Sequence, residues 1–454
     1  MGMAAPRVLL ISANRERLPS PVVPLGVLSV AGASRARGHD VRVLDLCFEH
    51  DPEGAVRAAI ASFRPDVVGL GLRNLHTNAY DGTEHLLEGY ASIAAAVRAE
   101  TCAPLVLGGA GFSLRPQTLL DRLGADHGVA GEGEQRFPLL VEALASGAPA
   151  PRLSGALDAD APRALGRGPS NMGASLDALA RPARDLVDPR YFAFDGTDAV
   201  QTKRGCAFQC AYCDYPDLEG RRVRVRDPEA IADEVAERAR TKGVSYIFFV
   251  DSVFNVPRSH ALAVCRALER RGAPLRWVCY ASPVGLDEEL VSAMAAAGCV
   301  GVEVGSDSGD DAVLARLRKP FRRDAIARAR ALFARHGIKD CHTFVLGAVD
   351  ETPAEAERTL RFVERLDPDV AVFMAFMEDR EERGVHVAPH RDALLALLAR
   401  EAHRHDGWVV PELGVRFGPK VLRIMERNGL KGPSWLHLRA RKADARAALS
   451  PSTA

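Results

Sequence analysis

The chain opens on short, unbroken apolar runs separated by longer stretches in which apolar positions recur every three or four residues. Val8 to Ser12, Val41 to Leu46, Val67 to Leu72, Leu105 to Leu107 and Val129-Ala130 are the runs. Leu25 to Arg37, Glu53 to Phe63, Leu86 to Arg98 and Gln135 to Ala145 carry the helical spacing. A strand that is apolar at consecutive positions is covered on both faces, and intervening helices supply the cover. The pattern therefore predicts an α/β domain over residues 1–145, a doubly wound (Rossmann-like) parallel sheet.

From 146 to 197 the chain is rich in Ala, Pro, Gly, Ser and Asp and loses its periodicity, which predicts a linker with little regular structure. A second alternation starts near Ala199, with strands expected at 199–203, 244–250, 275–280, 300–305, 341–346 and 370–376. Helix starts are legible between them. Asp227-Pro228 pairs an N-cap with a proline at the first helical position, and Thr352-Pro353-Ala354-Glu355 spells a capping box. Ser308-Gly309-Asp310-Asp311 resembles a second box with Asp in the Glu place. Six βα units without a sign of strand-order reversal predict a partial (β/α)6 TIM-like barrel over 198–378, whose chemistry belongs on the loops after the strands. Residues 379–454 read as a small C-terminal helical region, with helices at Arg391 to His405 and Pro419 to Asn428 and disorder expected over Arg446 to Ala454.

Composition narrows the class. A chain of 454 residues is too long for one core, and 47% apolar with 26% charged residues is a soluble globular profile. Lys+Arg and Asp+Glu stand at 59 each, which argues against a general nucleic-acid binder. No apolar run is long enough to span a bilayer, Val8 to Ile11 is too short for a secretory segment, and Pro6 stands where a myristoylation signal needs Ser or Thr. The expectation is a cytoplasmic protein. Nine cysteines, an odd number, argue against a disulfide framework. Six of them, Cys47, Cys102, Cys265, Cys279, Cys299 and Cys341, stand alone and are expected to be small buried hydrophobes.

The other three form Cys206-x3-Cys210-x2-Cys213, on the loop after the first barrel strand. Three thiolates at this spacing hold three corners of a [4Fe–4S] cubane and leave one iron without a protein ligand. An open iron suits a cluster that binds a small molecule; an electron carrier is normally closed by four thiolates. The alternative is zinc, which wants four ligands, and Asp214 is badly placed for a fourth.

Here the chain resembles the radical S-adenosylmethionine (SAM) superfamily, over roughly residues 198–378. The motif is matched with Tyr212 as the aromatic that lies near the cluster and adenine in that family. The resemblance implies that the open iron takes the amino and carboxylate groups of SAM, and that reductive cleavage yields a 5′-deoxyadenosyl radical. It also implies SAM contacts at Asp251 in Phe249-Val250-Asp251-Ser252, and at Glu303 and Ser306 in Gly301-Val302-Glu303-Val304-Gly305-Ser306. Leu346 to Thr352 resembles the segment near adenine. For each segment the alternative is a strand end turning into a helix.

A doubly wound domain ahead of such a barrel resembles the cobalamin (B12)-binding branch. The residues that carry this are Pro24-Leu25-Gly26, Gly38-His39-Asp40-Val41, Leu107-Gly108-Gly109 and Gly131-Glu132-Gly133-Glu134. A corrin would rest on such loops, with Gly26, Arg73, Gly108 and Gly109 as its expected contacts. The Asp-x-His-x-x-Gly motif whose His ligates cobalt is absent after the first strand, where the chain reads Ala13-Asn14-Arg15-Glu16-Arg17. His76 is either a corrin neighbour or a surface-loop histidine. The implied reaction is cobalamin-dependent methylation of an unactivated carbon in a small molecule of lipid or natural-product type. A flavodoxin or ferredoxin is the implied electron donor. The runners-up are a cyclase or oxidase of tetrapyrrole type and a non-catalytic corrinoid-binding protein. A methylthiotransferase would need a second cysteine triplet, and the first domain offers only Cys47 and Cys102.

Arg221, Arg222, Arg224 and Arg226 follow the cysteine loop, either as an anion-binding group or as a solvated strand edge. Trp408 and Trp435 either cap the barrel mouth or simply pack. His403 and His405, two apart on a helix, cannot share a face and do not form a metal pair.

Overall fold

The computed structural model describes residues 5–76, 83–148, 156–158, 175–348, 350–380 and 384–439. The segment expected to be disordered, 446–454, lies outside them.

The first domain is built on six strands: β1 Arg7–Ser12, β2 Asp40–Asp45, β3 Val67–Gly71, β4 Leu105–Gly108, β5 His127–Val129 and β6 Ala156–Asp158. Their order is β2-β1-β3-β4-β5-β6; the first five run parallel and β6 is antiparallel to β5. The chain steps from β1 to β2 on one side and resumes at β3 on the other. The carboxyl ends of β1 and β3 therefore diverge into the crevice where doubly wound folds receive ligands. Five of the six residues of β1 are buried, and separate apolar cores lie on the two faces of the sheet, as the unbroken apolar runs require. Two short helices, Ala110–Leu114 and Pro116–Leu123, went unread because each is shorter than the window over which a helical period can be counted.

The segment expected to be a structureless linker is ordered in part. It supplies β6, and residues 175–194 join the two domains through side chains. Arg184 Nη1 donates to Asp198 at 2.9 Å and its Nη2 to Glu234 at 2.9 Å, and Tyr191 Oη donates to Asp45 at 2.8 Å. A low-complexity composition hid these contacts because each is carried by a single side chain without a period.

The second domain contains β7 Thr197–Val200, β8 Lys203–Arg204, β9 Arg224–Val225, β10 Tyr246–Phe249, β11 Arg276–Ala281, β12 Cys299–Asp307, β13 Lys339–Leu346 and β14 Val370–Ala375. A hairpin, β15 Met377–Arg380 and β16 Gly384–Val387, and a last short strand, β17 Trp408–Val409, follow. Seven of these form one parallel sheet in the order β17-β14-β13-β12-β11-β10-β7. Sequential order without reversal makes this an open barrel. The six expected strands are present, and β17 extends the edge by two residues.

Alternation along β12 sorts its side chains. Val302 and Val304 join the core between sheet and helices, which puts Gly301, Glu303 and Gly305 on the lumen side. The strand starts on that side, Tyr246, Val278, Cys341, Val370 and Val409, pack around Trp435 and Leu436. Trp435 therefore closes the amino-terminal end of the barrel, not its mouth.

Helix starts follow local chemistry. Asp227 accepts from Glu229 N and Ala230 N, and Thr352 and Glu355 form a reciprocal capping box. The third start is corrected: Asp310, not Ser308, is the N-cap, accepting from Ala312 N and Val313 N, while Ser308 Oγ is engaged by Asp310 N and Thr359. Cys47, Cys265, Cys279, Cys299 and Cys341 are buried as expected, whereas Cys102 is exposed. Among the described residues no helix is long and apolar enough to cross a membrane.

Candidate active site at the domain interface

The cysteine loop is fastened at its root by a buried ion pair. The Asp251 carboxylate accepts from Thr202 N at 2.7 Å, Thr202 Oγ1 at 2.5 Å, Lys203 N at 3.2 Å and Lys203 Nζ at 3.2 Å. Lys203 Nζ also donates to Phe254 O at 2.7 Å, and both charged side chains are sealed from water. This corrects the expectation that Asp251 contacts SAM. Its oxygens are occupied by the end of β7 and the start of the loop, so its role is to seat that loop. Beyond Lys203, Gly205 has φ +93°, and a Cβ there would stand 2.3 Å from Arg222 O. Only glycine fits. Cys206 N then donates to Gly220 O at 3.0 Å and Ala211 N to Leu317 O at 3.0 Å, pinning the loop to the chain on both sides.

Cys206, Cys210 and Cys213 are half-buried free thiols close enough to perturb one another. Burial is the main reason Cys210 is raised and Cys213 is pushed up to about 12, with their neighbours' negative charge adding to it. Lys319 opposes the rise at Cys210. Such thiols stay protonated at neutral pH unless a cationic metal centre claims them. Among the described residues no three His, Cys, Asp or Glu side chains converge on a point that would suit one ion. Tetrahedral zinc needs its sulfurs about 3.8 Å apart, given a Zn–S bond of about 2.3 Å. In a cubane each thiolate takes a different iron, so three cysteines on one loop without a fourth fit a [4Fe–4S] cluster with one iron left open. Tyr212 is locked behind the loop: its Oη donates to Asp307 Oδ1 at 2.6 Å and accepts from Lys319 Nζ at 3.2 Å, and Lys319 pairs with Asp307. Lys203, Lys319 and Asp307 carried no sequence signal, because single charges at the ends of strands and helices are indistinguishable from surface charge until the fold buries them.

The lumen behind the loop is polar at its centre. Tyr280, Glu303 and Cys341 are neighbours across β11, β12 and β13. Glu303 Oε1 accepts from Trp435 Nε1 at 2.8 Å, and burial raises the carboxyl to about 7. Tyr215 and Tyr280 keep 40% and 38% of their surface accessible, yet burial pushes both phenols upward, Tyr215 to about 12. Both side chains are thus reachable by solvent yet surrounded by protein. Arg73, from the loop after β3, is near enough to stabilise the ionised form of both. Ser306 does not share this space. It lies on the opposite face of β12, fully buried, with Oγ 2.7 Å from His342 Nδ1, and His342 Nε2 is 3.1 Å from Asp340. The expected SAM contact at Ser306 is corrected accordingly: alternation on the strand sends Glu303 inward and Ser306 outward.

The first domain meets the cysteine loop with the carboxyl ends of its strands. Gly109 has φ +96°, and a Cβ there would stand 2.4 Å from Leu72 O. This lets the loop after β4 lie against the loop after β3, where Leu72 N donates to Gly108 O at 2.8 Å and Gly111 N to Leu72 O at 3.0 Å. Gly131 N donates to Ser113 Oγ at 2.8 Å, adding the loop after β5 to the same surface. Gly26, near the start of the first helix, leaves open space where its Cβ would be. His76 is in the loop after β3, next to residues outside the description. The arginine cluster divides: Arg221 and Arg222 are exposed, as a solvated edge requires, whereas Arg224 and Arg226 are paired. Arg204 and Arg224 both pair with Glu132, Arg204 also reaches Glu134, and Arg226 pairs with Glu234. Glu132 and Glu134 thereby latch the loop after β5 onto the strands that flank the cysteine loop.

Two α/β modules whose strand ends converge, one bearing three thiols on a single loop, make up the candidate site. Residues 200–363 match the radical SAM superfamily, and residues 11–141 match the B12 binding domain. The chain is similar to the tryptophan 2-C-methyltransferase of Streptomyces laurentii, 30% identical over 65% of this chain and 59% of that protein. It is also similar to an uncharacterised methyltransferase of Pyrococcus horikoshii, 26% identical over 82% of this chain and 80% of that one. Among solved structures it resembles the radical SAM methyltransferase TsrM of Kitasatospora setae with cobalamin and a [4Fe–4S] cluster bound. The TM-score is 0.83 at 24% identity, over 98% of this chain and 99% of that one.

Proposed function

We propose that the protein is a cobalamin-dependent radical SAM methyltransferase acting on an unactivated carbon of a small molecule of lipid or natural-product type. One observation carries the reading: the loops after β3, β4 and β5 meet the cysteine loop and its flanking strands, which brings Arg73 close to Tyr215 and Tyr280. The methyltransferase relatives support it. When bound, the cluster supplies the electron that cleaves SAM, and cobalamin carries the methyl group.

The chain's own residues do the rest. Cys206, Cys210 and Cys213 hold the cluster, and Tyr212 backs them through Asp307 and Lys319. Glu303 turns into the lumen, where SAM and substrate meet. Gly26, Arg73, Gly108 and Gly109 line the corrin site, and at Gly109 the loops after β3 and β4 come too close for a side chain. The working division of the chain is a cobalamin domain at 1–145, a connection at 146–197, the barrel at 198–378 and a C-terminal region at 379–454. A flavodoxin- or ferredoxin-type reductant and a cytoplasmic setting complete the reading.

The test is SAM turnover by protein reconstituted anaerobically with iron, sulfide and hydroxocobalamin, followed as 5′-deoxyadenosine and S-adenosylhomocysteine. Turnover is expected in the native protein, and 5′-deoxyadenosine is expected to disappear in Cys206→Ala. No turnover from protein with a verified cluster and bound cobalamin would overturn the proposal.

A further inference from the structure

The C-terminal segment crosses the amino-terminal end of the barrel from one edge toward the other. Lys431 Nζ donates to Ala193 O at 2.8 Å, and Gly432 N to Asp195 O at 2.7 Å, ahead of β7. Lys339 Nζ, at the start of β13, donates to Leu436 O at 2.8 Å. Arg439 pairs with Asp367 at 2.7 Å, just ahead of β14. Between these ties Trp435 and Leu436 enter the barrel. A Cβ on Gly301 would stand 2.5 Å from the Trp435 ring and 2.8 Å from Leu436, so the strand gives up a side chain to admit them. Trp435 is nearly buried and spends its one polar atom on Glu303.

We propose that Trp435 is a positioning residue: its indole N–H holds the Glu303 carboxyl turned toward the lumen, so that the second oxygen meets a hydrogen-bond donor of the bound small molecule. This rests on the reading of the lumen as the place where SAM and substrate meet. Glu303 has no other side-chain donor among the described residues. Tyr280 and Cys341 flank it on the adjacent strands, Tyr215 and Arg73 face Tyr280 from the mouth, and Trp435 closes the floor. Of these only Arg73 is charged near neutrality; Lys431, His437 and Arg439 on the segment of Trp435 and Lys339 on β13 also stand nearby, so the contact is read from the loss of the pH response in Glu303→Gln and not from the response alone. The C-terminal segment, which carries no recognisable motif, thereby contributes to the site as its floor.

The experiment uses the reconstituted protein with 15N-indole-labelled tryptophan. There are three tryptophans, Trp277, Trp408 and Trp435, hence three indole resonances. Trp435→Phe assigns the third; should that variant not fold, Trp277→Phe and Trp408→Phe assign it by elimination. The Trp435 resonance is expected to move with pH around neutrality and to stop moving in Glu303→Gln. Trp277, whose Nε1 donates to Ala297 O at 2.7 Å, is expected to stay still. A Trp435 resonance indifferent to Glu303→Gln would overturn the proposal. For function, Trp435→Phe is expected to lower kcat/KM for SAM turnover about tenfold, as for one hydrogen bond to a carboxylate. In Glu303→Gln it is expected to add little further loss. Fully additive losses would also overturn it. A silent SAM assay alongside a coupled Trp435 resonance would instead fault the methyltransferase reading and leave the contact in place.

Discussion

Removing the Asp251 carboxylate should destabilise the barrel more than any single surface change. In Asp251→Ala the Lys203 ammonium stays buried with Phe254 O as its remaining acceptor at 2.7 Å, while Thr202 N, Thr202 Oγ1 and Lys203 N lose theirs. Breaking one side of a buried pair costs about 3–5 kcal/mol, a large share of the roughly 5–15 kcal/mol that holds a typical domain. Asp251→Asn keeps the shape and one acceptor oxygen, so a loss of about half that is expected. Replacing both charges, as in Lys203→Met with Asp251→Leu, should recover most of it, since the attraction of such a pair roughly balances its desolvation. The assay is urea unfolding of the barrel read by tryptophan fluorescence. Trp277 is a local reporter, its ring centroid 5.0 Å from that of Phe254 beside the pair. Iron content after reconstitution should fall in parallel, because the same hydrogen bonds seat the cysteine loop. An Asp251→Ala variant within about 1 kcal/mol of the native protein would refute the reasoning. Unchanged stability with weakened SAM binding would restore Asp251 as a SAM contact.

Other expectations are sharper in kind than in size. Gly109→Ala must place a Cβ 2.4 Å from Leu72 O at φ +96°, so it should lower both stability, by about 1–3 kcal/mol, and cobalamin affinity in equilibrium dialysis. Normal affinity would move the corrin site elsewhere. Arg204→Glu should loosen the two domains, seen as an increased radius of gyration in solution scattering, and Glu134→Arg in the same chain should partly restore it. Identical scattering from the single variant would dissolve the latch. Glu303 is raised from 4.5 to about 7, so the folded state binds its proton more tightly than the unfolded chain. Its contribution to stability is full below about pH 4.5 and is lost as the pH rises to about 7. Glu303→Gln should therefore match the native protein near pH 4.5 and exceed it at pH 8, by at most about 3 kcal/mol for a shift of this size. An advantage independent of pH would refute the buried carboxyl.

Both α/β modules were legible because unbroken apolar strands and amphipathic helices are properties of consecutive residues. The cysteine motif was legible because its three ligands fall within one loop, Cys206 to Cys213. What escaped was long-range pairing of single side chains. Trp435 and Glu303 are 132 residues apart, and Arg204 and Glu134 are 70 apart. Neither separation leaves a local trace. Asp251 and Ser306 were misread for a related reason. Proximity to a strand end is visible in sequence, but the face on which a side chain emerges, and whether a buried partner has already claimed it, are settled only by the register of the sheet.

The cluster and cobalamin are proposed to act on SAM together. The most direct measurement is S-adenosylhomocysteine formed anaerobically from SAM and reductant by the cluster-loaded protein, with and without hydroxocobalamin. S-adenosylhomocysteine is expected only when cobalamin is present and not in a Gly109→Ala variant that fails to bind it, and 5′-deoxyadenosine is expected to disappear in Cys206→Ala. S-adenosylhomocysteine formed equally without cobalamin, or none from protein shown to hold both cofactors, would contradict the proposal.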